Sequence, residues 1–353
     1  MNDKINIPFY IKIASISISC FAFVFILHYS QQIISPIIYA TILAILLNPL
    51  VNLFLKKMNR ILAITCAVLI ATIFIFGIGY IIASQLSFFS GTFPKLKIKF
   101  HEISIGFVKW IAIEFNLRVS DVNSWIMGTQ KDIVNNLAIG ESLSRLGQSL
   151  VTLLILPVYL IMILYYKPLF FEFIRKLFSA EYHNTVAEVL QNSKKIIQSY
   201  LVGLLVEMVI ISVLNSLGLL ILGIDYAILL GVLGAILNVI PYLGGMIGVV
   251  IFMGIALVTK SPIYMVYVLA LYSIIQFIDN NYIMPKIVAS RVQINAFISV
   301  IVVLIGGALW GLSGMFLSIP LTAIMKVIFD HIEPLKPWGF LLGNTIPSKR
   351  LKK

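Results

Sequence analysis

The sequence predicts an all-α polytopic membrane protein with six full spans and two broken, re-entrant helical hairpins, or with eight spans if both broken segments cross. Two observations predict this class. Of the 353 residues, 60% are hydrophobic and only 11% are charged, which is more apolar surface than a soluble protein of this length can bury. The apolar residues also form runs long enough to cross a bilayer, separated by short polar loops. The lipid bilayer is therefore the first expected partner.

The basic residues account for a net charge of +12, and they lie mostly in the short loops between apolar runs. The positive-inside rule predicts this placement, so we expect no nucleic-acid partner. The two cysteines, Cys20 and Cys66, both lie inside apolar runs, which argues against a disulfide scaffold or a cysteine metal site. There is no P-loop motif and no nucleophile–base constellation, so we expect neither an enzyme nor a bound cofactor or metal.

The first 89 residues read as a bundle of three spans, at about 11–27, 33–55 and 61–89. The loop after the second span contains Lys56, Lys57 and Arg60, whereas the loop before it contains neither lysine nor arginine. This bias places the N-terminus and the 56–60 loop in the cytoplasm. We therefore predict a multi-pass protein of the bacterial inner membrane with both termini cytoplasmic.

The remaining chain divides by composition into five predicted segments. These are an extracytoplasmic helical insert at 90–147, a fourth span at 148–167, cytoplasmic amphipathic helices at 168–200, a transport core at 201–330, and a basic cytoplasmic tail at 331–353. Polar residues alternate with apolar ones at helical spacing in the insert and in the amphipathic segment, which favours helices at the membrane surface.

Two apolar segments of the core are each interrupted once by glycine and proline. The first, Tyr226–Val258, breaks at 240–245, and the second, Asn295–Phe329, breaks at 311–314. An unbroken helix of either length would measure about 50 Å, against roughly 30 Å of hydrocarbon. Lipid cannot satisfy the backbone groups freed at a break, so such breaks persist where they face protein or a wet cavity. In transporters, interrupted segments of this kind bind substrates and ions.

Two topologies fit these segments. If both broken segments cross, the chain has eight spans; if both are re-entrant hairpins, it has six, and the charge bias favours the second by one residue. The hairpin topology implies an inverted repeat, a hypothesis in which each hairpin follows a span and the two tips meet near the membrane midplane.

Three motifs of the core, in order, resemble those of the autoinducer-2 exporter family of bacterial permeases. They are an asparagine/isoleucine–proline–tyrosine–x–glycine motif at Leu237–Gly244, a second motif at Gln276–Val288, and a glycine-rich third at Gly306–Leu321. The resemblance is strong over 225–329 and covers 10–222 in topology only. Gly245, where the family often has proline, and Leu204, where glutamine is common, depart from the pattern.

The resemblance implies a polytopic transporter. The family is named for the export of a small furanone-like quorum signal, and other members resemble sodium/proton antiporters. The resemblance also favours a functional role for Asp279, whose carboxylate and neighbouring amides are oxygen ligands that hard cations prefer.

The residues around the breaks form the predicted solute or ion site. Its members are polar groups beside the breaks or residues that free backbone groups: Asn238, Pro241, Gly244, Gly245, Gln276, Asp279, Asn280, Gly311 and Gly314. Glu207 lies mid-span among apolar neighbours and is a separate candidate for a proton or cation site, because a charge at that depth is costly unless it faces protein or water. The glycines have an alternative role, which is to let helices pack closely.

The leading function from the sequence is an inner-membrane secondary transporter that exports a small polar solute, with a site between the two broken segments. One alternative is a Na⁺(Li⁺)/H⁺ antiporter in which Glu207 and Asp279 titrate. A second alternative is a membrane scaffold that transports nothing. The predicted partners are the bilayer, the solute, H⁺ or Na⁺, and a second copy of the chain in a homo-oligomer.

Overall fold

The computed structural model describes residues 8–114, 139–240, 243–289, 292 and 294–344, and these residues are almost entirely helical. Their only pairing of extended backbone is an isolated antiparallel bridge between Ile294 and Gly343. The described residues form ten α-helices: α1 Phe9–Tyr29, α2 Gln31–Phe54, α3 Arg60–Glu114, α4 Ile139–Leu177, α5 His183–Ile221, α6 Ala227–Asn238, α7 Leu243–Thr259, α8 Pro262–Ile278, α9 Ala296–His331 and α10 Lys336–Leu342.

The apolar helices confirm the predicted class of an all-α polytopic membrane protein. Among the described residues, seven segments are long and apolar enough to cross a membrane: Phe9–Tyr29, Gln31–Phe54, Arg60–Tyr80, Ile155–Leu177, Ala180–Ile221, Pro262–Val288 and Ala296–His331. Helices α6 and α7, of 12 and 17 residues, are shorter. At about 1.5 Å per residue, α6 is too short to cross a bilayer alone.

The long helices run past several boundaries that composition had suggested. Helix α3 has 55 residues and continues without a break from the third apolar run to Glu114. Helices α4 and α5 likewise continue through 167 and 200, and a single 3₁₀ turn, Ala180–Tyr182, separates them. Residues 115–138 of the predicted insert and residues 345–353 of the predicted tail lie outside the described residues. The segment boundaries therefore stay predictions.

The chain forms two compact units. One contains residues 1–49, 159–201 and 291–353, and the other contains residues 50–158 and 202–290. The second unit is built on a core of buried apolar side chains from α5, the turn after it, the α6–α7 pair and α8: Leu219, Ile224, Ala227, Leu230, Phe252, Ala256 and Val268.

In this second unit the first broken segment folds back on itself. The ring of Phe252 on α7 packs directly against Gly234 on α6, and Gly248 also faces Gly234. Residues this far apart in sequence can meet only if the chain reverses between Asn238 and Leu243. Helices α6 and α7 thus form a hairpin, and their glycines allow the two helices to pack closely against each other.

In the other unit the second broken segment, α9, is also a hairpin. Trp310 and Gly311 leave the helical conformation, and Gly311 takes φ 59°, which favours glycine. A methyl group at Gly306 would lie against the carbonyl oxygen of Gly314 and 3.2 Å from Cβ of Ser318. In a straight helix, Gly306 and Gly314 would be roughly 12 Å apart. Both broken segments are therefore hairpins, as the six-span topology predicts.

The tip of the α9 hairpin lies level with the turn between α1 and α2. The indole Nε1 of Trp310 donates to the carbonyl oxygen of Leu27, and Nε2 of Gln31 donates to the carbonyl oxygen of Trp310, at 2.9 and 3.2 Å. Nδ1 of His28 lies 3.0 Å from the carbonyl oxygen of Leu309. Because α1, with 21 residues, measures about 30 Å, this tip reaches the end of a membrane-length helix. The sequence had suggested a tip near the midplane.

The close backbone contact in α9 makes Gly314 sensitive to any side chain. We expect Gly314→Ala to lower the stability of the purified protein by roughly 1–3 kcal/mol, because the new methyl group would overlap the carbonyl oxygen of Gly306. Thermal unfolding in detergent measures the change. Gly254→Ala is the control, since nothing lies within 4 Å of a methyl group there. Equal melting temperatures for the two variants would contradict the tight hairpin.

The α6–α7 hairpin predicts that its two ends lie on the same side of the membrane. A methyl group at Gly223, just before α6, would lie 3.8 Å from Nζ of Lys260, just after α7. With Cys20 and Cys66 replaced by serine, we expect single cysteines at Asp225 and Ser261 to react with a membrane-impermeant thiol reagent from the same side. Reaction from opposite sides would indicate that this segment crosses the membrane.

Candidate functional site

Helix α5 contributes an acidic side chain from its buried face. Gly203, Glu207, Ile211 and Asn215 recur every four residues, and all four are buried, so they share one face of the helix. A methyl group at Gly203 would lie 2.7 Å from the carbonyl oxygen of Ile287. This close approach positions Glu207, one turn further along, with only 6% of its surface exposed.

Helix α8 contributes the second acid at the point where its regular hydrogen bonding ends. Val268, Ile275 and Asp279 lie on one buried face, and Asp279 is 1% exposed. At Asp279 the chain enters a π-helical turn that runs to Ile283, and a second π turn follows at Pro285–Ala289. Single π turns insert a residue into a helix and are frequent at functional sites, because they redirect side chains.

Asn238, the last residue of α6, joins the two acids. Its Nδ2 donates to Oδ2 of Asp279 at 2.9 Å and to Oε1 of Glu207 at 3.4 Å. An ionised carboxylate can only accept hydrogen bonds, so the nitrogen of this amide must face the two acids and its oxygen must face away. Asn238 and Asp279, which the sequence assigned to one predicted site, thus meet Glu207, the separate candidate, and each of the three comes from a different helix.

Each acid keeps one oxygen that has no protein donor. Oε2 of Glu207 and Oδ1 of Asp279 are buried and lack a hydrogen-bond partner among the described residues. Two carboxylates that share one amide donor in an apolar surrounding are costly as anions. Their free oxygens are therefore suited to take up a proton or to bind a small cation.

A second group of side chains lies on the other side of Asn238. Nε2 of Gln276 donates to Oδ1 of Asn280 at 3.4 Å. Gly245, in the first turn of α7, faces the side chains of Gln276 and Tyr272. Tyr272 was not among the predicted residues. Its position four residues before Gln276, on the same helix face, is the sequence signal that would have identified it.

The glycine beside Gly245 has a packing role. A methyl group at Gly244 would overlap the carbonyl oxygen of Leu237, so only glycine fits where α7 starts against the end of α6. Pro241 of the same predicted set lies outside the described residues.

Gly311 and Gly314 belong to the other unit. Gly314 packs against the backbone of Gly306, whereas Gly311 takes a positive φ and has nothing within 4 Å of an added methyl group. The break beside them already has protein donors for its carbonyl groups, since the hydroxyl of Tyr39 donates to the carbonyl oxygen of Ser313 at 3.2 Å. His28 and Gln31 donate hydrogen bonds to the carbonyl oxygens of Leu309 and Trp310 in the preceding turn. Within the part of the chain that the structure describes, no three histidine, cysteine or acidic side chains group as a metal site.

Comparison with known proteins gives one family and several relatives. The model of the family described as "AI-2E family transporter" matches residues 16–333. The chain is 27% identical over 327 residues to "Putative transport protein YueF" of Bacillus subtilis, covering 85% of this chain and 84% of that one. It is 25% identical over 351 residues to "Putative transport protein YhhT" of Escherichia coli K12, covering 99% and 98%. Over 132 residues, 37% of each chain, it is 33% identical to "Putative transport protein YrrI" of B. subtilis.

The shared amide donor predicts energetic coupling between Asn238 and Asp279. We expect Asn238→Leu to destabilise the protein by about 1–3 kcal/mol, because it leaves two buried carboxylates without a donor. Adding Asp279→Asn should restore part of this loss, since it removes one of the two charges. Unfolding of the single and double variants in detergent measures the coupling. Additive losses would contradict the direct contact.

Proposed function

Because the chain belongs to the AI-2E family of transporters, whose model matches residues 16–333, we propose that it exports a small polar solute across the bacterial inner membrane. The single observation that carries this proposal is the group Glu207–Asn238–Asp279, in which one amide bridges two buried acids. The predicted orientation, with both termini in the cytoplasm, belongs to the same proposal.

In the proposed mechanism, the two acids hold the coupling ion. A proton or a Na⁺ ion on the free oxygens of Glu207 and Asp279 offsets negative charge that the apolar surrounding does not stabilise. When the ion leaves, the remaining charge draws the amide of Asn238 more strongly toward the acids. Ion binding and the position of α6 are linked in this way, and the linkage couples the ion gradient to solute movement.

The α6–α7 hairpin is the element that we expect to move. It contributes Asn238 from its tip, whereas Glu207 and Asp279 come from α5 and α8. A shift of the tip would break both hydrogen bonds of Asn238 at once and expose the acids. The glycine contacts between α6 and α7 keep the hairpin together, so it can move as one body.

The same geometry supports a second candidate, a Na⁺(Li⁺)/H⁺ antiporter without an organic solute. The free carboxylate oxygens favour it, because proton and cation would compete for the same two side chains. A homo-oligomer is compatible with either function. Helix α1 has no buried residue in the single chain, so its apolar surface is free to contact lipid or a second copy.

Ion flux in proteoliposomes tests the proposal. With an imposed pH gradient and a lumenal pH dye, we expect wild-type protein to move protons when a transported solute is present, whereas the antiporter predicts proton movement when Na⁺ or Li⁺ alone is added. Asp279→Asn and Glu207→Gln should each reduce this flux by about tenfold or more, because each removes one ionisable carboxylate from the pair. Asp225→Asn is the matched control, since it makes the same change at an exposed carboxylate of the same unit.

The outcomes separate the candidates. Cation-driven proton flux without any accompanying solute favours the antiporter. Proton flux that appears only when a solute is present favours the coupled exporter. Full flux in both carboxylate variants would contradict an ion-coupling role for the pair, and no flux in well-folded wild-type protein would favour a scaffold.

A further inference from the structure

The short helix α10 packs against both ends of α9. At the start of α9, Nδ2 of Asn295 donates to the carbonyl oxygens of Leu341 and Gly343, at 2.7 and 3.1 Å. Near the end of α9, a methyl group at Gly339 would overlap the carboxylate of Asp330, so α10 lies directly on that turn. Helix α10 therefore closes the open end of the α9 hairpin and has a fixed position there.

The depth of α10 in the membrane follows from the length of α9. The tip of α9 lies level with the turn between α1 and α2, and the arm from this tip to His331 measures about 30 Å. That length matches the hydrocarbon core, so the tip and His331 lie at opposite surfaces of the membrane. Helix α10 then runs back along α9, because Gly339 lies beside Asp330 and Gly343 beside Lys326. This places α10 in the boundary layer between hydrocarbon and headgroups.

The surface of α10 that is not packed against α9 is apolar. Gly339 is the buried residue of this helix. Three large side chains stay exposed: Trp338 at 59%, Phe340 at 56% and Leu341 at 54%. Contact of this much apolar surface with water is unfavourable, whereas amphipathic helices at a membrane bury such a face about 5–10 Å into the headgroup and acyl boundary. Tryptophan is enriched at the same depth. Lipid is thus the occupant that fits this face.

The charge around α10 indicates the kind of lipid. Residues 332–353 contain five basic residues and one acidic residue, which gives a net charge of +4. The acidic residue, Glu333, forms an ion pair with Lys336 at the start of α10. Four of the five residues at 349–353 are lysine or arginine. A basic cluster of this size beside a membrane-spanning helix attracts anionic headgroups.

We propose that α10 and residues 349–353 form a docking surface for anionic phospholipid, which anchors the open end of the α9 hairpin. The exposed side chains of α10 enter the acyl boundary, and the basic residues contact the phosphate groups. Because α10 contacts Asn295 at one end of α9 and Asp330 at the other, the anchored helix holds both arms. A second copy of the chain fits less well, since it would bring the same positive charge to this face. The inference stands whether or not the chain transports a solute.

Quenching of a fluorophore on α10 tests the docking surface. The full chain, with Cys20→Ser, Cys66→Ser and Phe340→Cys, is labelled with the fluorophore NBD and reconstituted into phosphatidylcholine vesicles with or without phosphatidylglycerol. Doxyl groups on the phosphatidylcholine acyl chains quench a fluorophore that enters the boundary. We expect about twofold stronger quenching with phosphatidylglycerol, because its headgroup attracts the basic residues. The difference should vanish in about 1 M salt, where the Debye length is about 3 Å.

Two variants, each lacking four basic charges, identify the residues that attract the lipid. The first should lose the dependence on phosphatidylglycerol, and it carries Lys349→Gln, Arg350→Gln, Lys352→Gln and Lys353→Gln. The matched control should keep that dependence, and it has the same loss of charge elsewhere in the same unit: Arg175→Gln, Lys176→Gln, Lys194→Gln and Lys195→Gln. Melting temperatures in detergent check that each labelled protein is folded. Leu341→Cys is a second labelling position on the same exposed surface if Phe340→Cys does not fold.

Three outcomes would overturn the inference. Equal quenching in both lipid mixtures would show that the surface does not prefer anionic lipid. Energy transfer between labelled chains without quenching by lipid would show that a second copy covers α10. Unchanged dependence on phosphatidylglycerol in the first variant would exclude residues 349–353 from the docking surface.

Discussion

Polar groups that lie within a bilayer need partners from the protein, and this requirement governs both breaks of the chain. Water is absent from the hydrocarbon, so each amide and carbonyl group that leaves a helix costs several kcal/mol unless it is bonded internally. In the α9 hairpin, side chains of α1 and α2 supply donors to the carbonyl groups of the tip. In the other unit, the end of α6 places Asn238 between two acids.

The two breaks meet this requirement to different degrees. The carbonyl oxygens of Leu309, Trp310 and Ser313 at the α9 tip each have a protein donor. Gly306 and Gly314 bring the two arms of this hairpin into close contact. The group around Asn238 keeps two buried carboxylate oxygens without donors. Partly satisfied polar groups lower stability, so they persist where an exchangeable partner such as a proton, a cation or a solute completes them. This difference is the reason why we propose an ion site beside Asn238 and not at the α9 tip.

Several features of the site were predictable from particular residues. Glu207 and Asp279 are identifiable because acidic residues inside apolar runs are expensive, and the break at Gly311 because glycine interrupts an apolar segment there. Tyr272 was missed, since a tyrosine in an apolar helix is also ordinary core. The π turn at Asp279 has no sequence signature either, because it depends on which neighbours compete for the backbone. The length of α3 was not predictable either, since polar residues near 90 together with Gly91 and Pro94 favour the end of a helix there.

By itself, the sequence determined the membrane class, the helical content and the positions of both breaks. These follow from composition and from local backbone chemistry, which each short segment carries on its own. Only the tertiary structure decided that the broken segments fold back and that Asn238 bridges Glu207 and Asp279. The two hydrogen bonds of Asn238 join residues 31 and 41 positions apart, and they depend on how closely glycine faces allow the helices to approach. No single segment of the sequence specifies how closely two helices approach each other.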